Sequence, residues 1–91
     1  MKKAAKFIVK GNVQGVFFRN YIKDKASELD LKGFVRNLEN GDVEVVVEGD
    51  IDSVDKMYSY CLQGSKHSVV KGVDYTEIPF NDFKSFRILH I

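Results

Sequence analysis

Residues 10–19 bring together the groups in this chain whose chemistry is most readily interpreted. The segment reads KGNVQGVFFR. Gly11 and Gly15 permit positive φ and a close approach of the backbone to a ligand. Arg19 has a planar guanidinium that grips a phosphate or carboxylate through two parallel hydrogen bonds. The segment therefore indicates an anion-binding loop, although a tight turn with a solvent-facing arginine accounts for the same residues equally well.

The elements on either side of this loop are predicted from hydrophobic spacing. Alternating apolar residues predict a strand over residues 4–11. Ile22, Ala26 and Leu29 share one face of a helix, which we predict over residues 19–30. A loop that leads from a strand into a helix points successive backbone N–H groups, and the positive end of the helix dipole, at one anion. The flanking elements therefore favour anion binding.

The rest of the chain is predicted to hold four strands (34–38, 42–48, 68–78 and 83–91) and a second helix between residues 50 and 64. Asn40-Gly41 predicts a type I′ hairpin turn, which needs positive φ at both central residues. The run of valines over residues 45–47 predicts a central strand covered at least partly on both faces. Asp50 or Asp52 is expected to cap the second helix, and Gly64 to end it.

This order of elements predicts the fold class. The sequence β-α-β-β-α-β followed by an extra C-terminal strand is typical of the α+β, ferredoxin-like split βαβ fold. Both helices should cover one face of a mostly antiparallel sheet. Because the chain has only 91 residues, we expect a single domain over residues 1–91. The fold by itself leaves the function open.

Composition and charge narrow the choice of environment and partner. The first 25 residues contain seven lysines and arginines but only one acidic residue. This excess of positive charge would raise the local concentration of a small anion. A pI near 7.8 argues against nucleic acid as the main partner. No apolar run approaches the roughly 20 residues of a membrane span, and no secretory signal is apparent. The lone Cys61 fits a reducing cytoplasm.

Asn37 is the second candidate functional residue. It lies near the end of the second predicted strand, which should run beside the layer that carries the first loop. A carboxamide there both accepts and donates, which suits holding a water molecule in line with a bound phosphorus. Alternatively, Asn37 merely begins the turn toward Asn40-Gly41, since asparagine is common near turns.

Two segments resemble the two signatures of the acylphosphatase family. Residues 11–19 match glycine-x-valine-glutamine-glycine-valine-x-phenylalanine-arginine at every fixed position. Residues 33–37, followed by Gly41, Val43 and Gly49, resemble the second signature. The resemblance extends over nearly the whole chain, as far as residues 86–88. One departure is the segment 64–68, which stands where the family commonly has a glycine-proline-proline-like turn.

The resemblance implies hydrolysis of the carboxyl-phosphate bond of small acyl phosphates, without metal or cofactor. Arg19 would bind the phosphoryl group together with the backbone amides of the loop: Val13, Gln14, Gly15, Val16, Phe17 and Phe18. Asn37 would orient the attacking water, and phosphate oxygens of the substrate would take its proton. Positioning and charge stabilisation are what phosphoryl transfer mainly needs. We also expect a monomeric cytoplasmic enzyme that inorganic phosphate, its product, inhibits weakly.

Two other functions, RNA binding and regulation without catalysis, remain as alternatives to acyl phosphate hydrolysis. An RNA-binding module shares the topology, but the segment that resembles an RNA-binding motif falls on the second strand instead of the third. A catalytically silent relative would bind a phosphate or carboxylate as a regulator.

The remaining polar and aromatic residues are predicted to have structural roles. Cys61 is expected in the core, and Gln14 is expected to hold the loop. His67 and His90 lack neighbours at metal-ligand spacing, so we predict no metal site. Phe17 anchors the loop or contacts the acyl part of a substrate.

Overall fold

Seven elements follow one another in the predicted order. The structure is a computed structural model that describes residues 1–90. Its elements are β1 (Lys2–Asn12), α1 (Val16–Glu28), β2 (Lys32–Asn37), β3 (Val43–Asp50), α2 (Ile51–Gln63), β4 (Val69–Ile78) and β5 (Phe86–Leu89).

The strands form one sheet in the order β4-β1-β3-β2-β5. β1 pairs antiparallel with β3 and β4, β2 pairs antiparallel with β3, and only β5 runs parallel to its neighbour β2. β3 lies at the centre, where Val45, Val46 and Val47 are all buried. The prediction of a mostly antiparallel ferredoxin-like sheet with a central β3 is therefore confirmed.

The core lies between one face of the sheet and the two helices. Phe18, Ile22 and Ala26 of α1 and Val54, Met57 and Cys61 of α2 are buried. They join the inward residues of β1, β2 and β3 in a single cluster. The expectation that Cys61 is a small core residue is confirmed, and burial raises the pKa of its thiol far above the ordinary value. Within residues 1–90, neither helix is long and apolar enough to span a membrane.

The ends of α1 and β5 differ most from the prediction, while the other elements begin and end within two residues of it. α1 begins at Val16, before the predicted Arg19, because Gly15 already adopts the N-cap position with a φ of 110°. It ends at Glu28, and Asp30 has a φ of 55°, which a helix does not allow. β5 begins at Phe86, three residues later than predicted. The prediction for Ile91 lies outside the described residues.

The hairpin between β2 and β3 is present, but its predicted type I′ turn is wrong. Gly41 has a φ of 97°, whereas Asn40 is not among the residues with positive φ. The N–H of Gly41 donates to the carbonyl of Leu38 at 3.2 Å, and the N–H of Leu38 donates to Asp42 at 2.8 Å. This is the arrangement of a three-residue loop, in which a glycine follows an ordinary turn. The loop therefore needs one left-handed residue instead of two.

Glu48 holds the connection between β4 and β5 against the sheet. Its side chain is only 1% exposed. The backbone N–H of Asn81 donates to its carboxylate at 2.8 Å, and the N–H of Phe83 donates to the other oxygen. Phe83 also stacks edge-on against Phe34 of β2, at 5.9 Å between ring centroids. The backbone of Phe83 is therefore engaged by a side chain of β3, and β5 begins only after this residue.

We expect Glu48→Gln to lower the free energy of unfolding by about 1.5–3 kcal/mol, the range for a hydrogen bond to a charged group. The amide replaces one accepting oxygen by an NH₂ group that faces a backbone N–H donor. Urea denaturation measures the change. Glu77→Gln is the matched control, because Glu77 is exposed on β4 and should change stability by less than about 0.5 kcal/mol. Equal losses in the two variants would contradict the role given to Glu48.

Candidate active site

The loop between β1 and α1 begins where β1 is deformed against β4. The pairing of these strands shifts between Lys10 and Gly11. Gly11 has a φ of 132°, and a Cβ built there would lie 2.1 Å from the carbonyl oxygen of Val69. The positive φ expected of Gly11 is therefore present, and the space that its Cβ would take is filled by β4. Its missing side chain lets the backbones of β1 and β4 approach each other.

Gly15 is the glycine of the loop that faces open space. A Cβ built on it would meet nothing within 4 Å, and its φ is 110°. It forms the N-cap of α1 without a side-chain hydrogen bond, and the first turn contains no acidic residue. A helix leaves its first N–H groups without partners inside the helix. The start of α1 is therefore electrically positive, open at Gly15 and free of a capping side chain, as an anion site requires.

Other side chains of the loop fix it in place. Val13 and Phe18 are each 1% exposed, so the loop is anchored in the core at both ends. Gln14 reaches across to the β2–β3 hairpin, where its Nε2 donates to the carbonyl of Leu38 at 2.8 Å and of Asp42 at 3.3 Å. This agrees with the structural role predicted for Gln14. The side chain of Gln14 thus ties the loop to the hairpin.

Arg19 folds back along the first turn of α1 toward the loop. Its Nε donates to the carbonyl of Gly15 at 3.2 Å. Its Nη1 lies 3.2 Å from Nδ1 of His90, just after β5. The guanidinium lines a cavity of about 130 Å³ together with Val16, Asn20, Ile88 and His90. Arg19 is therefore half-buried, and its guanidinium is directed toward Gly15 and His90.

His90 is a site residue that the sequence interpretation missed. It follows the edge strand β5, which packs next to α1 and parallel to β2. Nothing in the residues around it signals a partner 71 positions earlier in the chain. A predicted parallel pairing of β5 with β2 would have placed it near the loop. Within residues 1–90, no group of three His, Cys, Asp or Glu residues is arranged to hold a metal ion.

Asn37 closes β2, opposite Val43 of β3. Its side chain lines a cavity of about 520 Å³ with Gln14, Arg36, Leu38 and Glu39. Its Oδ1 is buried and accepts no hydrogen bond from residues 1–90. Leaving a buried acceptor unpaired costs about 1–3 kcal/mol, so such an atom calls for an explanation, and a catalytic role is one.

Arg19 and Asn37 belong to two separate parts of the candidate site. They line different cavities, and none of the hydrogen bonds among residues 1–90 joins them directly. Gln14 borders the cavity of Asn37, while Gly15, the next residue, accepts the hydrogen bond of Arg19. Residues 14 and 15 therefore connect the two predicted site residues.

The segment 64–68, where the sequence departs from the family pattern, contacts the loop. The rings of His67 and Phe17 lie 5.1 Å apart between centroids. Phe17 is 66% exposed and Val16 is 54% exposed. The first turn of α1 thus presents two apolar side chains to solvent beside the open helix terminus. Phe17 is not buried, and its contact with the acyl part of a substrate stays a prediction.

Comparisons with known proteins agree with this geometry. The family profile for acylphosphatases matches residues 5–88. A curated acylphosphatase of Syntrophus aciditrophicus is 42% identical over 91 residues, which cover 99% of this chain and 95% of the relative.

Two solved structures are similar over nearly their whole length. An acylphosphatase of Coxiella burnetii has a TM-score of 0.92 and 39% identity, covering 97% of this chain and 93% of the other. An acylphosphatase of Bacillus subtilis also has a TM-score of 0.92, at 31% identity, covering 99% and 100%.

Proposed function

This chain belongs to the acylphosphatase family and hydrolyses acyl phosphates, and we propose that Arg19, Asn37 and the loop between β1 and α1 form its active site. Arg19 and the loop amides bind the phosphoryl group, and Asn37 orients the attacking water. The amides are those of Val13, Gln14, Gly15, Val16, Phe17 and Phe18.

The observation that carries the proposal is the open start of α1 at Gly15, to which Arg19 is tied. Backbone N–H groups and a guanidinium are the donors that stabilise charge on a transferring phosphoryl group. Gly15 offers space, and the helix has no capping side chain that would compete with the ligand. Arg19 stays close because its Nε donates to the carbonyl of Gly15. Positive groups thus converge where the ligand has room.

The role of Asn37 is supported by its place in the wall of the cavity of about 520 Å³. A water held there by the carboxamide directs its own lone pair toward the phosphorus. Fixing the water in this way lowers the entropic part of the barrier. The anchoring of the loop to the hairpin through Gln14 keeps Asn37 at a constant position relative to the amides.

The reaction is a displacement at phosphorus. The water oxygen forms a bond to phosphorus while the bond between phosphorus and the carboxyl oxygen breaks, and its electron pair leaves with the carboxylate. The proton of the water passes to a phosphoryl oxygen of the substrate. The products are a carboxylate and inorganic phosphate, and no side chain acts as the base.

The proposal also covers the domain organisation, the oligomeric state, the location and the ligands of the protein. We place residues 1–91 in a single domain that acts as a monomer in the cytoplasm. The substrates are small acyl phosphates, and inorganic phosphate is both product and inhibitor. Support comes from the family match over residues 5–88 and from the coverage of stand-alone relatives.

Inorganic phosphate is expected to be a weak competitive inhibitor of the hydrolysis of benzoyl phosphate, because it offers the loop the same oxygens as the substrate. In an NMR titration with phosphate, the amide resonances of residues 13–19 should shift most. Sodium chloride at matched ionic strength is the control and should not reproduce the shifts. Non-competitive inhibition, or shifts centred on another part of the sheet, would contradict the placement of the phosphoryl group.

A further inference from the structure

We propose that His90 is a positioning residue, whose neutral imidazole holds the guanidinium of Arg19 at the loop and makes catalysis sensitive to acid. The proposal rests on the proposed role of Arg19 in binding the phosphoryl group. It concerns the contact of 3.2 Å between Nη1 of Arg19 and Nδ1 of His90.

The chemistry of the two groups fixes the protonation state of His90. A guanidinium has N–H donors and no acceptor, so Nδ1 of His90 must be the acceptor. The imidazole is therefore neutral and carries its proton on Nε2. A protonated imidazole has donors on both nitrogens and cannot make this contact.

The contact fixes a side chain that otherwise has many rotamers. Arg19 donates from Nε to Gly15 and from Nη1 to His90, on two sides of its guanidinium. Two of the five N–H donors of an arginine are thus used by the protein, which leaves three for a ligand. A guanidinium held at two points loses less entropy on binding a phosphoryl group. His90 thereby prepares Arg19 for its substrate.

Acid should release Arg19. Protonation of the imidazole removes the acceptor and places a second positive charge next to the guanidinium. Besides Arg19 and His90, the cavity between them is lined by the uncharged Val16, Asn20 and Ile88. From β2, Arg36 lies opposite Leu89, but its Nε donates to Glu44 at 2.7 Å. Among residues 1–90, no carboxylate side chain lines this cavity to offset the new charge.

The test compares kcat/KM for benzoyl phosphate between pH 5 and 8 in the parent, His90→Ala and His90→Asn. At pH 7.5, His90→Ala should lose about 3- to 10-fold, the equivalent of one net hydrogen bond. His90→Asn should recover most of this loss, because its carboxamide oxygen accepts without titrating. The parent should lose activity toward low pH more steeply than His90→Asn. His67→Asn, which removes the other imidazole, should retain the steep profile of the parent.

A second measurement does not depend on turnover. The ¹⁵N chemical shifts of the His90 ring at pH 7.5 should identify the tautomer protonated at Nε2. A ring protonated at Nδ1, or identical pH profiles for the parent and His90→Asn, would overturn the inference. Neither result would contradict the proposed function. That function is tested separately by the loss of kcat/KM in Arg19→Gln.

Discussion

Replacing Arg19 by glutamine is expected to lower kcat/KM for benzoyl phosphate by about 10²-fold or more, the effect of losing one donor to the transition-state charge. The guanidinium is the only cationic side chain that donates to the loop carbonyl of Gly15 among the hydrogen bonds of residues 1–90. Glutamine keeps a polar group of similar length but has neither the charge nor the fork. Steady-state kinetics with this aromatic acyl phosphate measures the loss.

Two further variants sharpen this prediction. Arg19→Lys retains the charge as a compact ammonium and should recover only part of the activity, because a lysine cannot form two parallel hydrogen bonds to a phosphoryl group. Arg87→Gln is the matched control, since Arg87 is an exposed arginine on β5 that borders a different cavity. It should remain within about 2-fold of the parent, as expected for a surface substitution. If Arg19→Gln also stayed within that range, the active site would have to lie elsewhere.

Much of the fold was accessible to sequence analysis because it is encoded locally. Alternation in β1 and the valines of β3 have a period of two, which buries one face of a strand or both. Gly64 ends α2 with a φ of 76°, and Asp50 caps it by accepting from the N–H of Asp52 at 3.3 Å. Such features depend on neighbouring residues only. Element order and the ferredoxin-like class follow from them.

Apart from the type of the hairpin turn and the ends of elements, sequence analysis failed where distant parts of the chain meet. The carbonyl of Val69 fills the space beside Gly11, and this contact depends on the pairing of β1 with β4. The contact of His90 with Arg19 depends on where β5 joins the sheet. The contact of His67 with Phe17 depends on how the segment after α2 returns to the sheet. Spacing along the sequence carries no information on such contacts, because they are set by tertiary packing.

In the candidate site, too, some features could be predicted from the sequence and others required the structure. The loop and Arg19 were predictable, since a strand, two glycines and a helix start are consecutive in the sequence. That Asn37 has an unpaired Oδ1 beside Gln14 required coordinates. Its position on β2 is predicted by the alternation of residues 34–38, and its nearness to the loop by the fold class. Its role is predicted by the chemistry of a carboxamide and by the family resemblance. Asn37 is therefore the residue whose role most needs a direct test.

Asn37→Ala is expected to lower kcat by about 10²-fold, the effect of misplacing a reacting group, while the inhibition constant of phosphate changes by less than about 3-fold. The reason is that Asn37 acts on the water, whereas Arg19 and the loop amides hold the phosphoryl group. Kinetics with benzoyl phosphate and phosphate inhibition separate the two quantities. A mutation that lowers kcat without weakening ligand binding has removed an interaction made mainly in the transition state.

The control for Asn37 is Asn40→Ala in the same hairpin. Asn40 accepts from the N–H of Asp42 at 3.0 Å and stabilises the turn without lining the cavity of Asn37. Its loss should leave kcat near that of the parent, which separates removal of the carboxamide from a distorted hairpin. If Asn37→Ala raised KM and the phosphate inhibition constant together at constant kcat, Asn37 would be a binding residue. The attacking water would then need another partner.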